Sequence, residues 1–224
     1  MNYRHIGTAA MIAYHGLHTA HNAANQLGKG EDKPDMARAA ELLSMRFLFF
    51  RHIMLEIANI ADLAGISRAL YKDHPDLGKM NIELKESFSF FKYIRNKYIG
   101  HLDSDLTDKT FEWEPTANVT FGKLDAGKQF MLSWFILETV INTYSDPKTG
   151  HKIFETETAL SYPPDEKRFF DYLGNTAEKS LKYSKRLIEV SASYVDLPDM
   201  KNEWVELSIK AGQTEFSYLN SKKR

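Results

Sequence analysis

The amino-acid sequence predicts a mainly α protein, a bundle of four to six helices with long connections. Three observations carry this. In residues 4–27, Ile6, Ala10, Ala13, Leu17, Ala20, Ala24 and Leu27 recur at steps of three or four, one apolar stripe on a helix. Residues 47–64 are apolar on nearly every side of a helix, the pattern of a central, enclosed element. Prolines and acids stand where helix starts favour them, as in YPPDEKRFFDYL at 162–173.

The elements follow in chain order. The first helix runs over about 4–27 and is broken by GKGEDKP. Pro34 then stands near the first turn of a second helix over about 35–64, with Gly65 as its stop. Its polar exceptions are Arg46, Arg51, His52, Glu56, Asn59 and Asp62. YKDHPDLGK at 71–79 reads as a loop. A third helix covers about 80–99 and a fourth about 127–143. A further helix starts near 163 and continues to about Val195, and a short one ends at Gly212. TFEWEPTANVTFG (110–122) and HKIFETETALSYP (151–163) alternate in part and read as short strands or ordered loops. The expected organisation is a single domain over 1–224, with a core bundle over about 4–143 and a C-terminal helical extension over about 163–224.

Composition narrows the function classes. The chain has 224 residues, enough to bury a core. It carries 14 Phe, 11 Tyr and 3 Trp, so ring packing should dominate that core. The formal net charge is −1, so contact with nucleic acid needs a local basic patch rather than a global field. There is no cysteine, which excludes disulfides, thiolate metal sites and cysteine nucleophiles. The N-terminus, with Arg4, His5, His15 and His18, does not read as a signal peptide, and the most apolar run, at 130–141, is too short for a bilayer. The expectation is a cytoplasmic protein with no membrane partner.

One segment departs from the packing pattern. In RNKYIGHLD (95–103), the stripe Leu84, Phe88, Phe91, Tyr98, Leu102 has its gap filled by Arg95. Burying a guanidinium unpaired costs several kcal/mol, so Arg95 must reach water, a carboxylate or an anion. Candidate acids are Glu56, Asp103 and Asp105. Gly100 is expected to stop the helix and free His101 from helical geometry. An arginine followed four to six positions later by a histidine also occurs at Arg46/His52 and Arg68/His74, so spacing alone decides nothing. Arg95 differs in occupying an apolar slot, being followed by Asn96, and meeting its histidine across a helix end.

RNKYIGHLD resembles the signature of the HEPN superfamily, in which Arg, often followed by Asn or Asp, precedes His by a short spacer at a helix end. The His-Leu-Asp ending after a small residue is closest to the abortive-infection-like subgroup. The resemblance is specific over about ten residues, and the helical layout of residues 35–143 is compatible with it. It implies a HEPN-like helical bundle that dimerises so that two motifs meet, and many such proteins are ribonucleases needing no metal or other cofactor. By position, Arg95 and His101 match the catalytic pair and Asn96 the polar residue beside it. Some toxins of the family have a tyrosine two positions after the histidine, where a partner antitoxin modifies them. That position here is Asp103, which puts this mode of control in doubt.

The expected function is therefore a homodimeric, metal-independent endoribonuclease acting on RNA in phage defence or as a toxin, with an antitoxin or regulatory protein as a further partner. Arg95 would stabilise the phosphate, His101 move the proton, Asn96 and Asp103 support them, and Lys97 bind substrate by charge. The alternative is a non-catalytic HEPN-like helical dimer that binds a nucleotide or protein partner. A third reading, a metal-dependent hydrolase, rests on His15, His18 and His21, which read more simply as a solvated face. His52/Glu56 reads as an intrahelical pair, Lys179, Lys182, Lys185 and Arg186 as a solvated basic strip, and the phenylalanines of 47–50 and 88–91 as core or dimer interface.

Overall fold

The computed structural model describes residues 2–29, 31, 34–145, 152–196 and 203–215. Five long helices make the core. α1 (Tyr3–Gln26) lies against α2 (Met36–Ile66) and α7 (Pro163–Ser193). α3 (Pro75–Ile94) packs on α2 and α7, and α6 (Ala126–Thr143) packs on α2. Three short helices complete the described set: α4 (Ser104–Trp113), α5 (Ala117–Thr120) and α8 (Trp204–Gly212). Among the described residues there is no strand, and no helix is long and apolar enough to cross a membrane.

The α1 stripe is buried from Ile6 to Ala24, and the Asn2 side chain caps the helix by accepting from the His5 amide. Its alanines and glycines make it thin. A Cβ on Gly7 would come within 3.2 Å of Ser191 Cβ on α7, and one on Gly16 within 3.0 Å of Glu56 Oε1 on α2. Glycine is therefore what lets α1 sit between its two neighbours. α2 starts behind Asp35, whose carboxylate accepts from the Arg38 amide at 2.8 Å.

Several expectations need correction. Gly65 lies inside α2, which continues to Ile66; a helix packed against α1, α3, α6 and α7 tolerates the roughly 1 kcal/mol that glycine costs relative to alanine. Much of the expected loop 71–79 is helical. A 3-10 turn covers Arg68–Lys72, and α3 begins at Pro75, whose missing N–H costs nothing at the first helical position. The stretch 110–122 holds the end of α4 and all of α5. The alternation of Phe111 and Trp113 imitated a strand, but Asp103 caps α4 through the Leu106 amide, and Leu106 and Thr110 bury one helical face. Residues 152–162 are irregular, and side chains take the place of a ladder there. Asn142 exchanges two hydrogen bonds with the Thr158 backbone, and Glu138 accepts from the Leu160 amide at 2.6 Å. Pro163 opens α7, while residue 151 and the tail past residue 215 lie outside the described residues.

α7 enters the same core as the first four long helices. Its Phe169, Leu173, Tyr183 and Leu187 are buried in one cluster with α1, α2 and α3. The Tyr183 hydroxyl is hydrogen-bonded to Ser67 and Tyr71, so this ring ties α7 to the end of α2. By contrast, α8 buries no side chain. Phe90 is the hub of the aromatic packing, with Phe91, Tyr144, Phe154 and Tyr172 all within ring-contact distance. Phe47, Phe88, Phe90 and Phe91 are all core residues.

Removing the Phe90 ring leaves a cavity among four aromatic neighbours that cannot collapse together. Phe90→Ala is expected to destabilise the fold by ~3–5 kcal/mol, seen as a lower urea midpoint at unchanged slope.

Candidate functional site

The segment 95–103 is built by an irregular helix end. After Ile94 the helix widens into a π-helical turn, Arg95–Ile99, closed by the Gly100 amide on the Arg95 carbonyl at 2.7 Å. Gly100 keeps right-handed helical angles (φ −77°, ψ −38°), so it is no left-handed stop. Its role is close approach: a Cβ there would meet the Arg95 carbonyl oxygen at 3.2 Å. A second bond, from the Asp103 amide to the Lys97 carbonyl at 3.0 Å, closes the loop that carries His101. Single π turns inside helices are frequent at functional sites.

Arg95 is held from one side. Its Nη1 donates to Asp62 Oδ2 at 2.6 Å and to the Ala58 carbonyl at 3.5 Å, and its Nε donates to Asn96 Oδ1 at 3.1 Å. The side chain is 19% exposed and Asp62 48% exposed. Nη2 donates to no described residue and is not sealed from solvent. The guanidinium is thus fixed in place and keeps one free edge, the geometry that receives an anion oxygen.

The partner acid is Asp62, not one of the three the sequence suggested. Glu56 is buried against α1 and engaged with His52 and Asn59, at 3.6 and 3.1 Å, while Asp103 takes Lys97 at 2.6 Å. Asp62 also binds Lys92, at 2.6 Å. Burial pushes its carboxyl up, but hydrogen bonds from Lys92 and Arg95, reinforced by their charges, outweigh this and hold it below its ordinary value. Asp62 was visible as a polar exception on α2. It stands three turns after Arg51 on the same helix face, with Leu55 and Ala58 between. Arg51 itself covers the ring of Tyr98 at 5.1 Å.

The structure brings Arg95 to Asn96, and Lys97 to Asp103. The Lys97 ammonium and the Leu106 amide hold the Asp103 carboxyl below the usual range, so the pair pins the loop end and the start of α4. His101 is exposed and makes no hydrogen bond or ion pair with any described residue, Arg95 included. His15 and His18 are exposed, with His18 and His21 bonded to Asn22 and Asn25. Among the described residues no three His, Asp or Glu side chains gather to hold a metal ion.

Comparison with protein-family models, with curated proteins and with solved structures finds no match for this chain.

The Asp62 pairing has a pH signature. Because its carboxyl ionises lower in the folded chain, the unfolded chain takes up the proton first on acidification. The stabilisation is complete above the unfolded value, about 3.9, and is lost as pH falls through the folded value. Asp62 is half exposed, so the gain is screened to about 0–1 kcal/mol. Asp62→Asn is expected to lower the urea midpoint at neutral pH, with the gap to wild type closing below pH about 4.

Proposed function

We propose that the protein is a metal-independent endoribonuclease of HEPN type, working as a homodimer in the cytoplasm in phage defence or as a toxin. The observation that carries this reading is an arginine fixed by a carboxylate, an amide and a carbonyl, with Nη2 bonded to no described residue, beside a loop that presents an exposed histidine without a described partner.

The chemistry needs no metal. One imidazole takes the proton of an RNA 2′-hydroxyl, and the 2′-oxygen attacks the adjacent phosphorus. The bond to the 5′-oxygen breaks, and that oxygen receives a proton from a second imidazole, that of His101 in the other copy. The products are a 2′,3′-cyclic phosphate and a 5′-hydroxyl end. An imidazole suits both roles because it changes charge near neutral pH. Arg95 meets the charge that grows on the phosphate oxygens, and its prior fixation means little reorganisation at that moment. Asn96 orients the guanidinium through Nε. Lys97 adds positive charge near the substrate, while its pairing with Asp103 steadies the loop. An antitoxin or regulatory protein would act by covering this end of the bundle.

The second reading is a HEPN-like helical dimer that binds a nucleotide or protein partner without cutting. It is favoured by one observation, the lack of any bond between His101 and Arg95.

Purified protein is expected to cleave RNA in EDTA and to leave cyclic phosphate ends. His101→Ala and Arg95→Ala should each lower the rate by at least ~10²-fold with helicity unchanged. Cleavage that EDTA abolishes, or that survives in His101→Ala, refutes the ribonuclease reading. Absence of cleavage together with nucleotide binding lost in Arg95→Ala supports the second.

A further inference from the structure

Between α2 and α3 runs an open groove of about 580 Å³, whose walls include Asp62, Arg68, Tyr71, Asn81, Lys85 and Lys92. We infer that this groove is a phosphate-binding track that takes single-stranded RNA and leads it to Arg95. Its destination rests on the ribonuclease reading; its affinity for the strand does not.

Charge is the first argument. The chain as a whole carries a net charge of −1, yet Arg68, Lys85 and Lys92 line the groove with one carboxylate among them, Asp62, which pairs with Lys92 and the adjoining Arg95. Arg68 and Lys85 are exposed and form no ion pair with any described residue. The sequence explains why. Residues three and four positions from Lys85 are Asn81, Ile82, Phe88 and Ser89, and those from Arg68 are Ala64, Gly65, Tyr71 and Lys72. No acid is within intrahelical reach of either cation. A concave surface of one sign focuses its field on an anion.

Spacing is the second. Asn81, Lys85, Ser89, Lys92 and Arg95 follow one another at steps of four, four, three and three, so they form one line along α3. At 1.5 Å of rise per residue, Lys85 lies about 15 Å from Arg95 along the helix. Cations spread over nearly three turns suit successive phosphates of a strand better than the compact phosphates of one free nucleotide. The Asn81 amide bonds to no described residue and lies on the same wall, a neutral donor for a phosphate or a base edge. The volume is that of a small-molecule cleft, about 300–1,000 Å³, enough for a strand's backbone and too small for a duplex.

The test is fluorescence anisotropy with the full chain and a labelled oligonucleotide carrying 2′-O-methyl groups throughout, which has no hydroxyl with which to cut itself. Arg68→Ala and Lys85→Ala are each expected to weaken binding several-fold at an unchanged melting temperature. The double variant should weaken it about tenfold or more, with the salt slope reduced by about 0.7 per cation removed. Lys179→Ala/Lys182→Ala, which removes two charges from α7, should leave binding as it was. ATP should fail to displace the oligonucleotide.

Equal binding by the double groove variant and wild type overturns the inference, as does equal weakening by the α7 variant. Displacement by ATP at lower concentration than by unlabelled strand makes the groove a pocket for a free nucleotide and also overturns it. Cleavage of ordinary RNA, measured in parallel, separates the two readings. Wild type that binds through the groove but does not cut keeps the track and removes the ribonuclease. Cutting that is indifferent to both groove substitutions, with strand binding equally unchanged, does the reverse.

Discussion

The pairing of Arg95 with Asp62 is the constraint around which this end of the molecule is arranged. A guanidinium in an apolar seam is costly to desolvate, and the cost is offset only when its donors are met by well-placed acceptors. Here three acceptors come from three different sources: the Asp62 carboxylate, the Ala58 carbonyl and the neighbouring Asn96 side chain. Two of them lie on α2, so the position of Arg95 is set by the packing of α3 on α2. The turn that carries Arg95 is widened to a π geometry just there. Gly100 permits that widening because a side chain would crowd the Arg95 carbonyl.

The loop beyond depends on the same constraint. Its start is tied by the Gly100 amide to Arg95 and its end by the Asp103 amide to Lys97, and the Lys97–Asp103 pair closes it again through side chains. Asp103 then caps α4, so α4 begins from a fixed point. Within this frame His101 is the one polar side chain of the motif that makes no hydrogen bond or ion pair with any described residue. Lys97, Tyr98 and Asp103 around it are partnered locally, which is the condition under which an exposed histidine can be presented in a defined place without contributing to stability.

Much of this was legible in the sequence, and the failures have physical reasons. The α1 stripe was read residue by residue because its period is set by packing on two neighbours, which leaves no freedom in the pattern. Arg95 stood out because it interrupts such a stripe. The start of α3 was missed because Pro75 and Gly78 resemble a loop, although a proline at the first helical position favours a helix. α4 was hidden because Asp103 was read as part of the motif, and so its role as a cap went unnoticed. The acid that meets Arg95 is 33 positions away, and local spacing cannot select it among Glu56, Asp62, Asp103 and Asp105. Tertiary packing selects it: Glu56 is turned toward α1, Asp103 is held by Lys97, Asp105 stands in the first turn of α4, and Asp62 is the acid that meets Arg95.

Asp62 also sets how this surface meets an anion. Its carboxylate binds Arg95 with one oxygen and Lys92 with the other, and so holds both cations in one line along α3. An arriving phosphate need not expel it. Among the described residues Arg95 Nη2 has no acceptor and Arg68 and Lys85 pair with no acid, and the ammonium of Lys92 has further protons to donate. Asp62 is half exposed, so its own charge is screened by water and weakens the field of the cations without cancelling it. A fully buried carboxylate in its place would hold Arg95 more rigidly but would saturate it. An apolar residue would leave the guanidinium free to swing out of the seam. A carboxylate at the rim of the groove is the arrangement that fixes the cation and still leaves it available.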